Sequence, residues 1–281
     1  QQQTRGRLLM NHLSSLLFNE PLMIAPGKLD AILNGFSQEL ELHTKESHAS
    51  SLQILGKKET YAVVDGTAII PVQGTLVHKL GYLDAMSGIT NYVAITNMVE
   101  KAMDDPMVNR LILDCNSGGG SVNGAFDAAD IIYNFRGEKP MDTLVDEHCY
   151  SAAILLGSAT DRIIVTRTSG IGSVGVVTAH KSRSRKNEKE GYDVEYIISG
   201  AKKVDGAPDL ALSERARKDM QGRSDYYYEM FVDTIARNRD LKASVVKGTE
   251  AGIYLGRHAV EAGFADEVKS VNQFIQETIS K

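Results

Sequence analysis

The stretch Leu111-Ile112-Leu113-Asp114-Cys115-Asn116-Ser117-Gly118-Gly119-Gly120-Ser121 decides how this chain is read. An apolar run passes into three consecutive glycines, and Gly124 to Phe135 beyond them carry helical spacing. A strand leading through a glycine turn into a helix is the unit of a parallel sheet, because a parallel neighbour is reached only by a crossover. The pattern repeats on both sides. Ala62-Val63-Val64 and Ala68 to Val72 read as strands, Thr90 to Asp104 as a helix, Asp142 to Val145 as a strand and Ser151 to Ala159 as a helix. Arg162 to Thr166, Gly175-Val176-Val177 and Val194 to Ile198 read as further strands, with a helix at Lys181 to Lys189. Ser213 to Arg239 reads as a long helix, Gly256 to Ala262 as a short one, and Phe264 to Val268 as a return to the sheet. This order predicts an α/β fold with a mostly parallel sheet and flanking helices.

Residues 1–60 have a different texture. Pro21 and Pro26-Gly27 bracket a short extended piece, Lys28 to Leu42 has an apolar helical face, and Glu46 to Ser51 is a polar linker. The expectation is an N-terminal helical arm and linker at 1–60 ahead of a domain at 61–281. A net charge of -5 argues against nucleic acid as a partner. Two cysteines, Cys115 and Cys149, are too few for a disulfide framework and fit a reducing compartment. No run approaches the roughly 18 to 20 apolar residues of a membrane helix. Leu8 to Phe18 is interrupted by Asn11, His12, Ser14 and Ser15, and is not expected to act as a signal peptide.

Three polar residues sit in settings that suit nucleophilic chemistry. Ser151 opens the apolar run Ser151 to Leu156, Ser173 lies in Gly170-Ile171-Gly172-Ser173-Val174-Gly175, and Lys203 ends Ser199-Gly200-Ala201-Lys202-Lys203. With the glycine loop as a source of backbone N–H donors, these are the parts that amide hydrolysis needs. Each has a plainer reading. A serine at the position of Ser151 is most often only an N-cap, and the triple glycine is a tight strand-to-helix turn. A lysine accepts a proton only when neutral, and moving it from about 10.4 to near 7 takes about 4.6 kcal/mol. Burial without a carboxylate partner supplies such a shift. Asp205 offers Lys203 a surface ion pair instead, and Lys202 is an adjacent rival for the role. No histidine sits in a nucleophile elbow, and no set of His, Cys or acids shows metal-ligand spacing, so neither a metal nor another cofactor is expected.

At these residues the chain resembles the S49 peptidase family of signal-peptide-peptidase-like serine–lysine proteases, and more narrowly its tailed-phage capsid assembly branch. Asp114 to Ser121 resembles the family's Asp-x-x-Ser-Pro-Gly-Gly-x loop, with Gly118 where proline is usual. Tyr150-Ser151-Ala152-Ala153 resembles its nucleophile turn, although a small residue is usual at Tyr150. Gly172-Ser173-Val174-Gly175 and Gly200 to Gly206 are similar to its remaining two motifs, and the register of the last selects Lys203 over Lys202. Asn19 to Ile24 and Lys203-Val204-Asp205-Gly206 look like the phage branch. The resemblance implies a ClpP/crotonase-like fold, usually assembled into rings. It implies Ser151 as nucleophile, Lys203 as base, Ser173 as the residue orienting the lysine, and the N–H groups of Gly119 and Ala152 as the oxyanion hole. The implied activity is a serine endopeptidase that cleaves scaffold, portal or other head proteins in the procapsid assembling in the host cytoplasm. The alternatives are a bacterial signal-peptide-peptidase-like protease degrading membrane remnants and a non-catalytic capsid scaffold subunit.

Overall fold

The structure, a computed structural model, describes residues 20–25, 61–79 and 89–279. The helix expected over Lys28 to Leu42 lies outside the described residues. The described residues divide into two compact units, one holding residues 20–22 and 176–229, the other residues 23–25, 61–79, 89–175 and 230–279.

The larger unit is built on a sheet. Strands β2 (Ala62–Val64), β3 (Thr67–Val77), β5 (Arg110–Ser121), β6 (Met141–Tyr150), β7 (Arg162–Val165) and β10 (Glu267–Val268) lie in the order β10-β7-β6-β5-β3-β2, while β1 (Leu22–Ile24) pairs with β5 and β4 (Ile89–Asn91) with β3 off that path. All neighbours on this path are parallel except β2, which pairs antiparallel with β3. Leu111, Ile112 and Leu113 are all buried. Successive side chains point to opposite faces, so this run is covered from both sides, which is why it reads as continuously apolar rather than alternating. On one side stand the crossover helices α1 (Tyr92–Asp104), α2 (Ala125–Asn134) and α3 (Ala152–Gly157). The side chain of Asn91 fixes the start of α1 by accepting from the Ala94 N–H at 2.6 Å. Ile112 faces the other way, where Phe274 joins it with Leu144 and Ile164.

The start of β6 holds a buried charge. Asp142 accepts from Arg110 Nη1 at 2.7 Å, Arg162 Nε at 2.9 Å and Arg162 Nη2 at 3.1 Å. Removing one member of such a cluster leaves the others uncompensated. Asp142→Asn is therefore expected to cost about 3 kcal/mol and lower the melting midpoint by roughly 6–12 °C. Calorimetry checks this, and a shift under about 2 °C contradicts it.

At its far end β6 changes partner. Residues 142–145 pair with β7, whereas His148, Cys149 and Tyr150 pair with β8 (Gly170–Gly172), which pairs antiparallel with β9 (Ile253–Leu255). Neither β8 nor β9 was expected from sequence, because three residues, two of them glycine in β8, carry no readable periodicity.

The smaller unit contains α4 (Ser184–Glu190) and most of α5 (Glu214–Arg239), and the division falls within α5 between Glu229 and Met230. Two expected strands do not form here. Gly175 to Val177 contributes one isolated bridge, Leu22 to Val177. Val194 to Ile198 pairs with no strand among the described residues, and Ile197 is 97% exposed. Its β-branched and aromatic residues express a preference for extended backbone, but a strand exists only where a neighbouring backbone takes up its hydrogen bonds.

Candidate active site

The end of β6 sets the geometry. Tyr150 is in register with Gly172 of β8, so the next residues, Ser151 and Ser173, emerge side by side. Each is anchored by its own N–H: Ser151 donates to Gly172 O at 2.8 Å, and Ser173 donates to Gly252 O at 2.8 Å. Both have φ of 56°, a left-handed conformation uncommon for residues other than glycine. For Ser151, with ψ of -120°, it makes the sharp turn by which β6 enters α3. Such backbone costs about 1–3 kcal/mol and persists only where its surroundings enforce it.

Ser151 is wholly buried, and its Oγ has no hydrogen-bond partner among the described residues. It also makes no capping bond to α3. The N-cap alternative therefore does not hold: a capping hydroxyl accepts from the N–H two or three residues on.

Gly119, with φ of 95°, packs directly against this serine. A Cβ at Gly119 would stand 2.9 Å from Ser151 Cβ and 2.9 Å from Tyr150 O, and would collide with Met23 O. The Gly119 N–H donates to Ser117 Oγ at 3.1 Å, and that hydroxyl donates to Gly74 O at 2.6 Å. Buried Ala152 opens α3, and its N–H is among the first-turn donors a helix leaves without an internal acceptor. Ser151, Ser173, Gly119 and Ala152 thus converge within the larger unit.

Cys115 and Cys149 are free and buried, Cys115 Sγ donates to His148 O at 3.6 Å, and the neighbouring Cys149 thiol together with burial pushes the Cys115 thiol well up. Both pack behind the site as small buried hydrophobes. On the other side of β6, His148 stacks on Tyr150 with ring centroids 5.0 Å apart, and the His148 Nδ1 is buried without a partner among the described residues. The Tyr150 hydroxyl fills the space beside Gly170 that a Cβ would need, which explains how a large residue fits before the serine.

Lys203 belongs to the smaller unit, in the turn from Gly200, and its N–H donates to Gly200 O at 3.0 Å. Its side chain is exposed. The competing assignments are taken up elsewhere. Lys202 Nζ pairs with Asp219, and Asp205 is held by Arg215, at 2.7 Å to Oδ1 and 3.2 Å to Oδ2. The Arg215 guanidinium holds the Asp205 carboxyl below the usual range. The alternative of a surface pair between Lys203 and Asp205 is not realised among the described residues.

Sequence reasoning missed Gly252, whose carbonyl anchors Ser173 from 79 residues away. No local pattern could have marked it, since its partner is chosen by the β8–β9 pairing.

With this geometry in place, the relatives can be compared. Residues 134–280, more than half of the chain, match the model of peptidase family S49, and the chain belongs to that family. It is 37% identical over 282 residues to the head-tail preconnector protein GP5 of Enterobacteria phage P21, covering 95% of this chain and 56% of that protein. It is 36% identical over 274 residues to capsid assembly protease C of Escherichia phage lambda, covering 92% of this chain and 62% of that protein. The chain thus spans less than two thirds of the length of these two curated relatives. Among solved structures, an enoyl-CoA hydratase from Shewanella pealeana is similar with a TM-score of 0.47 and 12% identity, over 83% of this chain and 77% of that one. The α/β assignment rests on the parallel strand pairing itself. No helix among the described residues is long and apolar enough to cross a membrane.

Proposed function

We propose that this chain is a serine endopeptidase with a Ser151–Lys203 dyad, cleaving scaffold and other head proteins as a phage capsid matures. The observation that carries the reading is the buried Ser151 hydroxyl, free of hydrogen bonds among the described residues and held at positive φ against Gly119. A serine serving only the fold would be expected to spend its hydroxyl on a cap or a carbonyl. Membership of a peptidase family and the names of the two phage relatives point the same way.

In this mechanism Ser151 Oγ attacks the peptide carbonyl while Lys203, exposed in this structure, takes its proton and later returns it to the leaving amine, a role that requires the amine to be withdrawn from water when it acts. Ser173 orients the lysine. The N–H groups of Gly119 and Ala152 receive the developing oxyanion, Gly119 exchanging Ser117 Oγ for the substrate oxygen. The reading carries with it the ClpP/crotonase-like fold for residues 61–281, an N-terminal arm at 1–60, a ring-shaped homo-oligomer, and a place in the procapsid within the host cytoplasm.

A peptide-digest profile of the wild-type chain against Ser151→Ala and Lys203→Ala, using the head proteins of the same phage, tests it. Discrete cleavages should appear with wild type alone. Cleavage by either variant at the parent rate overturns the dyad, and no cleavage by wild type points to a non-catalytic capsid scaffold subunit.

A further inference from the structure

We propose that Arg136 is a positioning residue for Ser151, acting through α3 from its opposite end; this rests on the serine-peptidase reading above. Helix α3 has six residues, so Ser151 at its start and Ser158 at its end are separated by roughly 10 Å at 1.5 Å per residue. A helix that short has little stability of its own and takes its position from the packing of its six buried residues and from what holds its ends. At the start the held group is backbone: the Ser151 N–H donates to Gly172 O, and the hydroxyl itself has no partner among the described residues.

The other end is clamped by one guanidinium. Arg136 Nε donates to Ala159 O at 3.0 Å, and its Nη2 donates to Ser158 O at 3.0 Å, to Thr160 O, and to Asn238 O at 3.2 Å. Of these carbonyls Ser158 O belongs to the C-cap of α3 and those of Ala159 and Thr160 follow it directly, and a cation there also complements the helix dipole. The clamp is itself fixed. Both Arg136 and Arg237 lie over the Tyr133 ring, 4.7 Å and 4.6 Å from its centroid, and Arg237 Nη2 donates to Asp130 at 2.6 Å. Asn238 adds a second tie, its Nδ2 donating to Ser158 Oγ at 3.0 Å in a buried bond. Arg136 thus joins the end of α2 to the end of α3 and to Asn238 in α5. A shift at that end would be transmitted along two rigid turns to the strained Ser151. Lysine cannot replace it, since a point ammonium lacks the planar fork that reaches several carbonyls at once.

The test compares Arg136→Lys and Arg136→Met with Phe274→Leu, a core variant expected to lower the melting midpoint without touching α3. Three measurements are made on the full chain: kcat and KM for a peptide substrate, the rate of Ser151 acylation by a fluorophosphonate, and hydrogen exchange of the amides of residues 151–160. Misplacement of a reacting group by about 1 Å costs on the order of 100-fold in rate. Arg136→Met should therefore lose about 100-fold in kcat and in acylation rate with KM within about twofold, and Arg136→Lys should lose nearly as much. Both should speed exchange of the α3 amides at least about tenfold, a local-opening signature that Phe274→Leu lacks. Parent-like kcat and exchange in the Arg136 variants overturns the proposal, as does a loss that Phe274→Leu matches at equal melting midpoint. If the wild-type chain shows neither cleavage nor acylation, the peptidase reading falls, and the exchange comparison alone decides whether Arg136 holds α3.

Discussion

Ser151→Ala is expected to lower kcat for peptide cleavage by about five to six orders of magnitude, the scale seen when the nucleophile of a serine hydrolase is removed. The same change should leave the fold intact. The hydroxyl is buried and makes no hydrogen bond among the described residues, so its removal breaks no bond and relieves a desolvation penalty of about 1–3 kcal/mol. Alanine keeps the positive φ of 56° and its strain, so the net effect on the melting midpoint is a rise of roughly 2–4 °C per kcal/mol recovered. A dead but slightly stabilised variant distinguishes a nucleophile from a structural serine, whose loss would destabilise. Calorimetry beside a cleavage assay reads both quantities, and a fall in midpoint with cleavage retained would contradict both parts.

Gly119→Ala should come second in effect. The residue sits at φ of 95°, and the new methyl would stand 2.9 Å from Ser151 Cβ while running into the Met23 carbonyl. The backbone must move, and with it an N–H assigned to the oxyanion hole. Loss of one such donor costs roughly 100- to 1000-fold in kcat. The backbone strain alone costs about 1–3 kcal/mol of stability. Gly191→Ala separates the two causes. Gly191 has φ of 75°, yet nothing lies within 4 Å of the methyl it would gain. It should therefore show the strain in its melting midpoint and retain parent activity. Equal kcat in both glycine variants would remove Gly119 from the site.

Much of the framework was legible because its signals are local. The apolar run at Leu111 to Leu113 and the helical spacing of residues 124–135 each depend on neighbours within about ten residues, and β5 and α2 lie there; the expected glycine turn does not form, because Gly118, Gly119 and Gly120 continue β5, the last two paired with β3. The long helix to Arg239 was readable for the same reason. Motif register also marked Ser151 and preferred Lys203 to Lys202, two lysines that are both exposed in the structure. The misread strand at Val194 to Ile198 marks the boundary of such reasoning: the residues favour extended backbone, but no partner strand takes up its hydrogen bonds.

By itself, then, the sequence determined the α/β class, most of the helices and long strands, and the residues from which a nucleophilic site could be built. Only the tertiary structure decided which of those residues meet. The pairing of Tyr150 with Gly172 places Ser151 beside Ser173, the approach of β5 puts Gly119 against the serine, and Gly252 and Arg136 supply anchors from distant parts of the chain. The physical reason is that helical and strand periodicity is a property of adjacent residues. Register, burial and the absence of a hydrogen-bond partner for Ser151 Oγ belong instead to pairs of backbones that the chain brings together only on folding.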